Sequence, residues 1–129
     1  MKKLLVLLVF SLMNLVSFSA MKDGIYYVEK SYDNEWKSFV KITVKNDKII
    51  GAQYDRKNSE GVLLSLDQKE NDKAKAKYGS SFRETSFLLT RGLVSAQKVE
   101  PNEIVKDSSS LDEFTKMVDY LIEKANSGE

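Results

Sequence analysis

The sequence predicts an α+β domain, in which a small antiparallel sheet with an N-terminal hairpin region is covered by helices, among them a C-terminal amphipathic helix. Two observations carry this. Between Gly24 and Tyr54 apolar and polar residues alternate, the period of a half-buried antiparallel strand. From Asp67 onward the pattern turns helical and ends in an apolar stripe from Leu111 to Ala125. Strands first and helices after them is the order of an α+β chain.

GIYYVEK, Gly24 to Lys30, is the first strand, rich in Tyr, Ile and Val. In WKSFVKITVK, Val40, Ile42 and Val44 point one way, and Lys41, Thr43 and Lys45 the other. Asn46-Asp47 is a tight turn, and KIIGAQYD, Lys48 to Asp55, returns as the third strand. Arg56 to Gln68 reads as a polar loop interrupted by Val62, Leu63 and Leu64.

DQKENDKAKAKY is a helix that stops at Gly79. Ser81 and Glu84 form a capping box for a helix from about Phe82 to Gln97, with Phe82, Leu88, Leu89 and Leu93 facing inward. Pro101 breaks the chain, and EIVK, Glu103 to Lys106, is a candidate short strand. Ser110 and Glu113 form a second capping box before the last helix, whose stripe is Leu111, Phe114, Val118, Leu121, Ile122 and Ala125.

Residues 1–19 have the layout of a secretory signal peptide: Lys2 and Lys3, an apolar run from Leu4 to Val16, then small residues. The run is shorter than the ~20 residues that span a bilayer, so no stable membrane span is expected after cleavage. Cleavage after Ser19 leaves residues 20–129 as a single exported domain bound for periplasm, cell surface or medium; cutting after Ala20, which would put Phe18 at a position the peptidase reads, and a retained signal anchor are the alternatives. The chain has no cysteine and no histidine. No disulfide can staple the domain, no thiol can act as a nucleophile, and Ser-His or Cys-His catalysis is excluded. Hydrolases of the ordinary kinds are therefore not expected. Lys plus Arg number 20 against 19 Asp plus Glu, a balance that implies no basic face and no nucleic-acid partner.

Several clusters could carry chemistry. DQKENDK, Asp67 to Lys73, is acidic but lacks the spacing and glycine turn of a calcium loop, and fits a solvated helix start. Lys69, Lys73, Lys75 and Lys77 make a mildly basic helix that reads as a wet surface. Tyr26, Tyr27, Tyr32, Trp36, Phe39 and Tyr54 make the β region aromatic, and such rings either pack a core or hold a flat ligand. Ser108, Ser109 and Ser110 stand at a helix N-terminus, where they either cap the helix or help hold a phosphate. Asp107 beside them competes for the same amides.

DGIYYVEKSYDNEWKSFVKITVKNDKIIGAQYD resembles the start of the small FMN-binding domains of exported bacterial proteins. These are related to flavin-carrying subunits of membrane redox pumps and to extracellular electron-transfer lipoproteins. The resembling positions are Asp23, Gly24 and Tyr26; Trp36, Phe39 and Val40 through Ile49; Tyr54 and Asp55; then Asn58, Gly61, Leu63 or Leu64, Ser65 and Asp67. The resemblance implies a domain that carries FMN for extracytoplasmic electron transfer, with a redox partner protein. Its binding residues would be Trp36, Phe39, Tyr54, Asn58, Ser65 and Ser108 to Ser110.

In the family, FMN phosphate is joined to the threonine of a D-x-x-(S/T)-G-A-T motif. Aligned from Phe114, that motif falls on Asn102, Val105, Lys106 and Asp107, with Ser108 at the acceptor position. Lys-Asp fills the space that Gly-Ala leaves for a phosphate and adds a negative charge. This departure argues against covalent attachment at Ser108. It leaves open FMN held noncovalently, with phosphate at the helix start and the ring system against aromatics such as Trp36. The alternative is a relative that lost the cofactor and serves as an exported binding module.

Overall fold

The structure, a computed structural model, describes residues 20–99 and 105–128. The expected signal peptide, Glu103 and Ile104 of the expected short strand, and Asn102 of the attachment motif lie outside these residues. Val105 and Lys106, the rest of EIVK, are irregular.

Three strands form an antiparallel meander in the order β1 (Gly24–Ser31), β2 (Lys37–Lys45), β3 (Lys48–Lys57). Asn46 and Asp47 join β2 to β3 with φ of 52° and 62°. Positive φ at both central residues is the turn twist that matches a right-handed hairpin, and Asn and Asp tolerate it. Pairing places Val40 opposite Tyr54 and Ser38 opposite Arg56, so β3 runs two residues past its expected end at Asp55. A bulge between Thr43 and Val44 leaves Ile50 without a partner and exposed.

The helices are α1 (Gln68–Tyr78), α2 (Phe82–Ala96) and α3 (Ser108–Ser127), with a 3-10 turn at Leu64–Leu66. Asp67 caps α1, and α1 ends at Gly79 with φ 86°, the left-handed stop that glycine adopts freely. Ser81 caps α2 by accepting the Glu84 amide, as its capping box predicts.

All three helices pack on the same face of the sheet or beside it: α2 lies under β3, and α3 crosses under β1 and β2. Tyr26, Val40, Ile42, Val44, Ile49 and Tyr54 meet Phe82, Leu89 and Leu93 of α2, and Phe114, Val118, Leu121 and Ala125 of α3. The last four are fully buried. Burying a side chain the size of Phe, Val or Leu contributes roughly 1.5–3 kcal/mol, so this stripe is a main source of the docking energy. On α2, Leu88 is only half-buried, and Thr85 takes an inward position beside Phe82, Leu89 and Leu93.

The outer edge of β3 is met by neighbours at three places. The Gln97 carboxamide accepts from the Ile49 amide at 2.8 Å and donates to the Ile49 carbonyl at 2.9 Å. The Ser86 hydroxyl donates to the Tyr54 carbonyl, and Leu63 pairs with Lys57 at the far end. No helix among the described residues is long and apolar enough to cross a membrane.

Candidate functional site

The core face of the sheet changes character toward the end of β3. The rung Ile42–Ala52 is apolar, Val40–Tyr54 carries one hydroxyl, and Ser38–Arg56 is wholly polar. Arg56 is 5% exposed, and four partners hold it. Its Nε donates to Ser38 Oγ at 3.1 Å. Its Nη2 donates to the Tyr54 hydroxyl at 3.2 Å, Ser110 Oγ at 3.4 Å and Glu113 Oε1 at 3.0 Å. Each of these hydroxyls passes its own proton to a carboxylate. Ser38 and Tyr54 donate to Glu113 at 2.7 Å each, and Ser110 donates to Asp107 at 2.7 Å. A buried guanidinium is tolerable only when paired and hydrogen-bonded in this way.

Three groups in this network have shifted acidity: for Arg56, burial lowers the pKa, but its interactions with Tyr54 and Glu113 outweigh it and hold the guanidinium above its ordinary value. Burial pushes the Tyr54 phenol far above its ordinary range, so it serves as a neutral hydroxyl. For Asp107, burial raises the pKa, but hydrogen bonds from the Ser110 and Ser109 hydroxyls and the Ser110 amide outweigh it and hold it below the ordinary aspartate value.

Arg56 also forms the floor of a cleft. The guanidinium carbon lies 3.8 Å from the Tyr32 ring centre and 4.7 Å from that of Phe82. Tyr32, Trp36, Tyr78 and Phe82 line the cleft with Leu64, Ala74 and Arg56; its volume is about 360 Å³. Asp33, Glu35, Glu70 and Asp107 contribute carboxylates, and Lys73 and Lys77 contribute ammonium groups from α1. None of the four hydrogen bonds to Arg56 engages Nη1. On the other side of Trp36 a second cavity of about 520 Å³ shares Asp33 and Glu35 and extends to Lys57 and Asn58.

The residues expected to bind a ligand divide into two groups. Trp36 lines both cavities, and Tyr54 and Ser110 stand beneath the first through Arg56. The others serve elsewhere. Phe39 faces the opposite side of the sheet, stacked on Tyr27 at 5.7 Å, because strand alternation separates it from Val40 and Ser38. Asn58 accepts the Glu60 and Val62 amides to close a turn, and borders only the second cavity. Ser65 donates its hydroxyl to Asp55, anchoring the 3-10 turn to β3. Ser108 is exposed and outside the cleft lining.

The start of α3 also differs from expectation. Its cap is Asp107, three residues before the expected cap Ser110. Asp107 accepts from the Ser110 amide at 3.1 Å and the Ser109 hydroxyl at 2.7 Å. The helix tip thus carries its own carboxylate, which accepts from the Ser110 amide and from the Ser109 and Ser110 hydroxyls and opposes a second anion there.

Arg56, Glu113, Ser38, Tyr78 and Phe82 are not among the expected site residues, and Tyr32 is expected only as one of the rings of the aromatic β region. The signal for Arg56 is the alternation that continues past Tyr54: Tyr54 in, Asp55 out, Arg56 in.

No family model and no curated protein matches the chain. Among solved structures, the chain is similar to the CPE2226 protein of Clostridium perfringens, with a TM-score of 0.77 and 27% identity. That match covers 84% of this chain and 92% of the other. A protein from Clostridium thermocellum, solved in solution, aligns over 83% of this chain and 88% of its own at 22% identity, with a TM-score of 0.42. The first of these supports the small α+β fold.

Proposed function

We propose that this chain is a non-enzymatic binding module whose ring-lined cleft holds a small planar ligand with an anionic group. The observation that carries the reading is the buried Arg56 beneath Tyr32, Trp36, Tyr78 and Phe82, with Nη1 left unengaged by its four partners. A cleft of about 360 Å³ is at the small end of the ~300–1,000 Å³ typical of ligand sites, and a few placed polar groups among rings are their usual lining.

FMN, the cofactor implied by the family resemblance, is the first ligand to test. In this reading it is held noncovalently, its rings against Trp36 and Tyr32, its phosphate near Lys73 and Lys77 and away from the tip of α3. Bound there, the flavin would supply extracytoplasmic electron transfer, and the protein would position it. The expected leader would place this outside the cytoplasm, and the family resemblance implies a redox partner protein.

The cofactor-free alternative has its own support. The cleft's four carboxylates outnumber its three cationic side chains, which disfavours a phosphate dianion. Titration of residues 20–129 with FMN and with riboflavin separates the two. Quenching of flavin emission, tighter for FMN than for riboflavin and weakened by Lys73→Ala with Lys77→Ala, supports flavin, with an intact mass showing no adduct. Absence of quenching by either compound rules flavin out and leaves the binding module.

A further inference from the structure

The sheet has a second face that none of the helices covers. Strand alternation places Lys37, Lys41 and Lys45 of β2 and Lys48 and Lys57 of β3 on this face, opposite the core set Val40, Ile42, Val44, Ile49 and Tyr54. Its two acids are already engaged. Glu29 accepts from Lys57 and Tyr27, and Asp55 is buried against Ser65. Lys37, Lys41, Lys45 and Lys48 are exposed and form no ion pair among the described residues. The near-neutral composition thus hides a segregated charge. The balanced count implies no basic face, and the fold makes one.

The same face carries exposed apolar groups on β1. Ile25 is 68% exposed, and Tyr27, stacked on Phe39, is 42% exposed. Ile50, turned out by the bulge on the same rung region as Ile25, is 55% exposed. Lysines surrounding solvent-facing aliphatic and aromatic side chains are the composition of surfaces that lie in the headgroup layer of an anionic bilayer.

We propose that this open sheet face docks the folded domain onto an anionic lipid surface. Lys37, Lys41, Lys45 and Lys48 meet the headgroup charge, and Ile25 and Tyr27 seat in the interfacial layer. A soluble polyanion needs the lysines alone and gives no role to Ile25 and Tyr27, which is why the lipid surface is favoured. The ligand cleft is lined from the helix-covered side, so the two activities use different surfaces.

Every described element and every core residue lies between residues 20 and 128, so residues 20–129 are the form to test. The measurement is co-flotation with phosphatidylcholine vesicles, with and without phosphatidylglycerol. Capture is expected only with phosphatidylglycerol and is expected to weaken with salt. Lys41→Glu with Lys45→Glu should lower partitioning by roughly 30-fold or more. Ile25→Ser should lower it without changing the melting curve. Lys69→Glu with Lys75→Glu on α1, an equal change of net charge, should leave it close to wild type. Absence of capture, or equal loss in the α1 variant, overturns the proposal. So does unchanged capture by Ile25→Ser combined with equal binding to heparin, which assigns the face to soluble polyanions.

Discussion

Replacing Glu113 with alanine tests whether the polar floor of the cleft is a coupled unit. Glu113 Oε1 accepts three hydrogen bonds, from Ser38, Tyr54 and Arg56, and the Arg56 and Glu113 side chains are 6% and 12% exposed. Removing the carboxylate leaves a buried cation and two hydroxyls without their acceptor. Breaking one side of a buried pair costs about 3–5 kcal/mol. A domain of this size has a total stability of about 5–15 kcal/mol, so the variant should unfold at much lower urea and melt about 10–30 °C lower. Arg56→Met alone should also destabilise, because Glu113 is then the buried charge without a partner. Arg56→Met with Glu113→Ala removes both charges together and should cost clearly less than the two single changes added together. The assay is equilibrium urea unfolding followed by circular dichroism for all four proteins. If Glu113→Ala costs under about 1 kcal/mol, or the double variant equals the sum, the coupling argument is refuted.

Asp107 gives a pH prediction. Its folded-state pKa is depressed, so its stabilisation is fully present above the ordinary aspartate value and is lost as pH falls through the folded value. Asp107→Asn should therefore flatten the fall in stability between about pH 5 and pH 2, and cost about 1–3 kcal/mol at neutral pH, as read from urea unfolding at stepped pH. Phe114→Ala and Ser108→Ala form a matched pair on α3. The first removes a fully buried ring 5.1 Å from Tyr54 and should cost about 3–5 kcal/mol by thermal melting. The second alters an exposed hydroxyl with no partner role in the cap network and should stay within about 0.5 kcal/mol of wild type.

The sheet, α2 and α3 are legible in the sequence from their apolar periods, and α1 from its run of helix formers and its glycine stop at Gly79. Val40, Ile42 and Val44 alternate through a strand, and Phe114, Val118, Leu121 and Ala125 recur at helical spacing. Boundaries are harder where two residues compete for one job. DSSS offers four N-cap candidates in a row, and Asp107 wins over Ser110 because one carboxylate serves the Ser110 amide and two hydroxyls together. The 3-10 turn at Leu64–Leu66 carries no period of its own and depends on Asp55 binding the Ser65 amide and hydroxyl.

The cleft is only partly legible. Trp36 stands out as the single tryptophan of an aromatic segment. Arg56 reads as the start of a polar loop, since nothing local announces that Glu113, 57 positions away, supplies its counter-charge. Tyr78 and Phe82 reach the cleft through the α1–α2 corner, which brings residues of the helical half over the hairpin half. Phe39 illustrates the opposite error. It is adjacent in sequence to residues at the site, and strand alternation carries it to the other side of the sheet.

The single carboxamide of Gln97 has a wider consequence. By meeting both backbone groups of Ile49 it acts as a one-residue substitute for a further strand, and Ser86 and Leu63 continue that substitution along the same border. An intruding polypeptide therefore meets this margin of the sheet already occupied at Ile49, Tyr54 and Lys57. Growth of the sheet by strand addition, whether in assembly or in aggregation, is left to the β1 side.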